Sequence, residues 1–172
     1  MGGFAGVADV SQPFPGQQQH GLDLARSMVR RIAHRGPEGH GASFSPHCVL
    51  AHARLAVMDP QHGQQPLSLP WQGHQVSIAY NGEVYNAPQL RGELEALGFS
   101  FASRCDTEVV LASYLAWGPD CARRLQGIFA FAIYDPAAPR LLLCRDPFGV
   151  KPPFLPRRQG RRAFASETQA LP

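Results

Sequence analysis

Apolar residues follow two rhythms along this chain. Residues 3–8, GFAGVA, form an unbroken run of small apolar side chains, which predicts a short strand buried on both faces. Pro13, Pro15 and Gly16 close it, and the QQQ at 17–19 reads as loop. From Leu22 to Ala33 the residues Leu22, Ala25, Met28, Val29 and Ile32 recur near a 3.6-residue period and predict a helix. HRGPEGHG (34–41) is too rich in Gly and Pro to continue it. CVLAHARLAVMD (48–59) returns to strand character, and 60–75, with Pro66, Pro70 and Gly73, reads as a long polar loop.

The second half alternates in the same way. QVSIAYNGEVYN (75–86) predicts strand, turn and strand pivoting on Asn81-Gly82, a strong hairpin dipeptide. Asn86 is placed to cap the next helix, with Pro88 in its first turn, Leu90, Leu94 and Leu97 on one face and Gly98 as its stop. Asp106 or Thr107 is placed to cap a second helix running to Trp117, with Gly118 after it and a short helix near 120–125. IFAFAIYD (128–135) and RLLLCRD (140–146) pair as a hairpin across PAAP, and two weaker strands near 153–155 and 162–166 follow. Strands, a helix, strands, two helices and strands again do not make the regular alternation of a parallel sheet. They predict an α+β fold of antiparallel sheets covered by helices.

Composition narrows the class without naming a function. At 172 residues, 44% hydrophobic and 17% charged, the chain reads as one folded domain over 1–172. A net charge of +3 is too mild to argue for nucleic acid. Cys48, Cys105, Cys121 and Cys144 are scattered, which favours reduced, mostly buried thiols. No signal peptide and no membrane-length apolar run is visible, so the expected setting is cytoplasmic, with no membrane partner. The seven histidines lack metal-site spacing, and no metal is expected. RRQGRR (157–162) reads as a solvated hairpin tip.

Three clusters carry possible chemistry. Asn81, Gly82 and Glu83 stand at a predicted turn, where an Asn amide and a Gly N–H can aim two donors at one point; on these residues alone, an ordinary hairpin turn is the simpler reading. Asp106 and Glu108 in RCDTE stand at a helix start, where plain capping is the simpler reading. Arg54 interrupts an apolar strand and needs a carboxylate partner, either structural or carried by a ligand.

Taken in order, HRGP (34–37), AHARLAVMD (51–59), QQPL (64–67), NGEVYN (81–86), CDTEVVL (105–111), LQGIFAFAIYD (125–135), RDPFGVKP (145–152) and FASE (164–167) resemble the class II glutamine amidotransferase domain of glutamine-hydrolysing asparagine synthetases, over essentially the whole chain. The resemblance implies an N-terminal-nucleophile αββα sandwich, two stacked antiparallel sheets between helical layers. It also implies that Met1 is removed and that a cysteine at residue 2, with its own α-amine as base, attacks the glutamine side-chain amide. A thioester forms, ammonia leaves through a tunnel and water releases glutamate. Arg54 would grip the α-carboxylate of L-glutamine, Glu83 and Asp106 would hold its α-ammonium, and Asn81 with the Gly82 N–H would form the oxyanion hole. HRGP looks like a pocket wall.

This chain departs from the pattern at its most important position. Residue 2 is Gly2, so the nucleophile is missing as written. Cys105 is a poor substitute, because the base belongs to the residue that carries the thiol. The ATP-dependent synthetase domain that should follow FASE is also absent, so a synthetase domain or partner chain is expected, and with it ATP and Mg; no cofactor is expected here. VKPPFLP (150–156) carries prolines that weaken a predicted strand. The implied activity is glutamine hydrolysis to feed amide synthesis. The alternative is a non-catalytic glutamine-binding or scaffold module.

Overall fold

A computed structural model describes residues 2–9, 11–14, 18–55, 63–138, 140–151, 153–155 and 161–172. Residues 56–59 of the predicted second strand, part of the loop after it and residues 157–160 of the basic tip lie outside the described residues.

The elements are β1 (Gly3–Ala8), α1 (Gln18–Arg30), β2 (His40–Ser45), β3 (Cys48–Ala53), β4 (Leu67–Trp71), β5 (His74–Val84), α2 (Ala87–Ala96), α3 (Asp106–Trp117), β6 (Gly127–Asp135), β7 (Arg140–Arg145) and β8 (Arg162–Ala165). Short 3₁₀ turns cover Ala33–Arg35, Gly118–Arg124 and Thr168–Ala170. Two four-stranded antiparallel sheets result, ordered β2-β3-β1-β8 and β4-β5-β6-β7.

Side-chain alternation builds three cores from these sheets. Ala5 and Val7 of β1, with Val49, Ala51 and Ala53 of β3, face α1 and meet Ala25, Met28, Val29 and Ile32. Val76, Ile78 and Tyr80 of β5, with Phe129, Phe131 and Ile133 of β6, face α2 and α3. The opposite parity, Phe4, Ala8, Cys48, Leu50, Ala79, Ala130, Ala132, Tyr134 and Phe164, fills the space between the sheets. The layering is therefore helix, sheet, sheet, helix, as the element order and the resemblance imply. β1 is buried along its whole length because strands flank it on both sides and a core lies on each face.

Several expectations are corrected. The residues Asn81-Gly82 make no turn: β5 runs through them, paired as Asn81↔Ala130, Gly82↔Phe129 and Glu83↔Ile128. β6 offers a full-length apolar partner, and that tertiary pairing outweighs the local turn preference. Gly82 is still required, since a Cβ there would strike the carbonyl oxygen of Ile128. β4 lies in the predicted polar loop; its Leu67, Leu69 and Trp71 alternate onto the α2/α3 core, and Pro70 is tolerated because β4 is an edge strand. β2 falls where the sequence predicts no strand, and β3 ends at Ala53. α1 begins at Gln18, inside the predicted loop, and ends at Arg30. The N-cap of α3 is Cys105, while Asp106 is its first helical residue. Asn86 stands at the N-cap of α2 without a side-chain cap bond, using its amide instead to join Arg124 O and Gln126 N. The weak strand at 153–155 reduces to one bridge, Phe154 to Ala165.

Candidate functional site

Strand parity and register assemble the site. Residue 2 continues the β1 phase of Phe4, Gly6 and Ala8, which faces the space between the sheets. His52 and Arg54 continue the phase of Cys48 and Leu50 on β3, and Asn81 and Glu83 the phase of Ala79 on β5. Gly3 pairs with Ala53, so residue 2 stands opposite Arg54 at the end of the first sheet. Gly2 N donates to Asn81 Oδ1 at 3.2 Å, a buried bond that joins the two sheets at this point. With Oδ1 so engaged, the Asn81 amide keeps its NH₂ as a donor.

The backbone of β5 completes this edge. Tyr85 N bonds Gln126 O, so the odd residues turn their N–H groups toward β6 and the even ones away. Tyr80 N accordingly reaches Gln65 Oε1 (2.7 Å) and Val84 N reaches Asp106 Oδ2 (3.0 Å). Gly82 N–H therefore points outward between Gln65 and Asp106. A strand, not a turn, thus leaves the Asn81 NH₂ and the Gly82 N–H as donors at this sheet end.

Asp106 is buried at the start of α3, and its Oδ2 also accepts Tyr80 OH at 2.5 Å. Burial first, and the adjacent Asp106 second, push the Tyr80 phenol well above its ordinary pKa, so it stays a donor. Glu83 is exposed two residues beyond Asn81. Glu108 is occupied elsewhere, since both its oxygens accept from the 102–103 backbone and Ser103 Oγ. The buried Cys105 carbonyl accepts from Arg91.

Sequence reasoning leaves HRGP without a defined role, and the structure supplies one. Gly36 lies so close to the Ala53–Arg54 backbone that a Cβ would strike it. Arg54 N donates to Gly39 O (2.8 Å), and Glu38 N to Arg54 O (3.3 Å), fixing the end of β3. Arg35 Nε donates to Gly2 O (3.2 Å) while its NH1 pairs with Glu167 Oε1 at 2.6 Å; His34 also reaches Glu167. Ser166 exchanges bonds with Phe4 through its Oγ and its N. HRGP and FASE together therefore clamp the N-terminal strand. The Arg35 hydrogen bond, ahead of a counteracting burial cost, holds the Glu167 carboxyl below its ordinary pKa. That stabilisation is present above the ordinary glutamate range and is lost as pH falls through the lowered value. Glu167→Gln is expected to lower stability by about 1 kcal/mol at pH 7, with the difference from the parent shrinking below about pH 4; urea melts at both pH values measure it.

Gln65 and His52 escape sequence reasoning as site residues. Gln65 joins β5 to α3 through Tyr80 N and Thr107 Oγ1, and QQPL is its signal. His52, on β3 two residues before Arg54, is 3% exposed and bonds Tyr80 O through Nε2 at 3.0 Å. Burial pushes its pKa down to about 4, against the opposing Tyr80 bond. Among the described residues no His/Cys/Asp/Glu group could hold a metal ion, and no helix is long and apolar enough to cross a membrane.

Comparison with known proteins places this geometry in context. A family model described as a glutamine amidotransferase domain matches residues 1–172. The chain is 38% identical over 171 residues to asparagine synthetase [glutamine-hydrolyzing] 3 of Bacillus subtilis, covering 99% of this chain and 27% of that protein. It is 37% identical over 167 residues to asparagine synthetase B of Escherichia coli, covering 96% and 29%. Among solved structures, the glutamine phosphoribosylpyrophosphate amidotransferase of B. subtilis, complexed with ADP and GMP, superposes with a TM-score of 0.77 at 21% identity, over 98% of this chain and 42% of that one. The chain thus spans less than a third of the curated relatives it matches.

Proposed function

The chain belongs to the glutamine amidotransferase domain family, and from that membership we propose that its pocket binds L-glutamine but, as written, does not hydrolyse it. The observation that carries this reading is the junction at Gly2 N and Asn81 Oδ1: an intact pocket end built around a residue with no side chain. Arg54 pairs with the α-carboxylate, and Glu83 and Asp106 receive the α-ammonium. The Asn81 amide and the Gly82 N–H receive the carboxamide oxygen. Glycine at position 2 supplies no thiol, so no acyl intermediate forms.

In this reading the domain is the glutaminase portion of an asparagine synthetase-like protein. ATP and Mg²⁺ belong to the synthetase portion, in the same chain or a partner, that uses ammonia for amide synthesis. The same glycine favours the second reading, a glutamine-responsive or scaffold module for that portion. Calorimetric titration with glutamine separates binding, which the first reading shares with a glutamine-responsive module, from a scaffold role alone. Glutamine binding is expected with the chain as written, and Arg54→Ala is expected to weaken it by at least about 10-fold, through loss of a charge-assisted pair. No heat of binding in the parent would leave the scaffold role alone.

A further inference from the structure

We infer that Tyr80 is a positioning residue for ligand recognition: its phenol, bonded to one oxygen of the Asp106 carboxylate, fixes the other oxygen as the acceptor for a ligand α-ammonium. This rests on the assignment of Asp106 to that group and goes beyond it, since the assignment gives Tyr80 no part in binding.

Three observations converge on it. First, the two oxygens of Asp106 are used unequally. Oδ2 accepts both Tyr80 OH (2.5 Å) and Val84 N (3.0 Å), while Oδ1 accepts from none of the described residues. Rotation about the last bond of an aspartate is soft, so a single donor leaves the carboxylate free to turn; two donors on one oxygen fix its plane and with it the place of Oδ1. Second, Oδ1 is open. Among the described residues the buried side-chain polar atoms without a partner are His52 Nδ1 and Ser113 Oγ. Oδ1 lacks a partner and is not one of them, so a ligand can reach it although Asp106 as a whole is only 7% exposed. Third, Tyr80 is itself held from three sides. Its ring lies in the core under α2 and α3, its N–H donates to Gln65 Oε1 (2.7 Å) and its carbonyl accepts His52 Nε2 (3.0 Å). The hydroxyl therefore meets Asp106 from a fixed point, as a positioning group must.

The chemistry of the two donors suits the task. A phenol and a backbone amide are neutral, so they orient the carboxylate without cancelling its charge. A Lys or Arg in the place of Tyr80 would form an ion pair with Asp106 and compete with the incoming ammonium. Gln65 and His52, which hold the backbone of Tyr80, act on the ligand through it.

The test compares the parent with Tyr80→Phe, which keeps the packed ring and removes only the donor. Two ligands are titrated and followed on backbone amide resonances: L-glutamine, and glutaramate, which keeps the carboxylate and carboxamide but has no α-ammonium. Tyr80→Phe is expected to weaken glutamine by about 10-fold and glutaramate by less than about 2-fold, because the lost bond acts on the ammonium acceptor alone. A merely structural role would weaken both ligands alike. In the glutamine-saturated proteins, the ligand-induced shifts at Val84 and Asp106 are expected to differ between parent and variant, and those at Arg54 to agree. Where glutaramate binds too weakly to titrate, this map decides. Undiminished glutamine affinity in Tyr80→Phe, equal weakening of both ligands, or shifts altered alike at Arg54 and Asp106 overturn the inference while the glutamine-binding reading stands. A parent that binds no glutamine removes that reading and the inference with it, so the two failures are told apart by the parent titration.

Discussion

Gly2→Cys is expected to raise ammonia release from glutamine by at least about 10³-fold over the chain as written, which is expected to show none above background. Removing a nucleophile from an otherwise intact hydrolase costs on the order of 10⁶-fold, so a large part is open to recovery. Recovery is expected to be incomplete for a structural reason. A Cβ on residue 2, in the backbone conformation this chain adopts, runs into Ala53 O, so the side chain cannot simply be added. The adjustment is local. The Gly3↔Ala53 pairing, the Phe4–Ser166 bonds and the Arg35 bond to Gly2 O hold the chain from the carbonyl of residue 2 onward. Once Met1 is removed, rotation at residue 2 repositions its amine and side chain without moving β1. A variant that binds glutamine yet stays silent would assign the loss to this close approach of backbone. Turnover by the parent would overturn the missing-nucleophile reading, and Cys105→Ser would then be the next protein to assay.

What is legible in the sequence, and what is not, divides along physical lines. GFAGVA shows its burial directly, because a strand packed on both faces leaves no polar positions. The helix over 87–96 and the β6–β7 hairpin are legible because periodicity and turn chemistry agree with the tertiary pairing. Asn81-Gly82 misleads because its local turn preference opposes a long-range ladder that no window of sequence contains. β4 is hidden by Pro70, a residue that excludes a central strand and is harmless at an edge. The site residues emerge from motif resemblance rather than from pattern: Asp106 alone reads as a helix cap, and its actual partners, Tyr80 and Val84, lie 26 and 22 positions away. His52 carries a usable signal, a polar residue at an inward position of an apolar strand, the same signal that singles out Arg54.

Asp146→Ala is expected to be the most destabilising single change outside the site, by about 3–5 kcal/mol in chemical denaturation, with the fold of both sheets retained at low denaturant. Asp146 is 1% exposed and accepts from four backbone N–H groups: Phe129 (3.3 Å), Phe148 (3.0 Å), Val150 (3.2 Å) and Lys151 (3.2 Å). Its own N–H donates to Phe129 O at 2.7 Å, so one residue ties the end of β7 to β6 and shapes the 146–151 turn. Burial alone would raise its carboxyl pKa, but the hydrogen bonds outweigh burial and hold it below the ordinary value. With the folded value depressed, the stabilisation is present above the unfolded aspartate pKa of about 3.9 and is lost as pH falls through the folded value. The cost of Asp146→Ala therefore has to shrink when measured at about pH 3. Asp146→Asn keeps one acceptor oxygen without the charge, so it is expected to fall between parent and Ala at pH 7 and to show no such pH dependence of its own. Phe148, 90% exposed at the tip of this turn, is the reporter for the loop: limited proteolysis there should speed up in Asp146→Ala before either sheet loses its protection. An unchanged denaturation midpoint in Asp146→Ala would mean that the four N–H groups find water instead, and that the turn is held by its flanking strands rather than by this carboxylate.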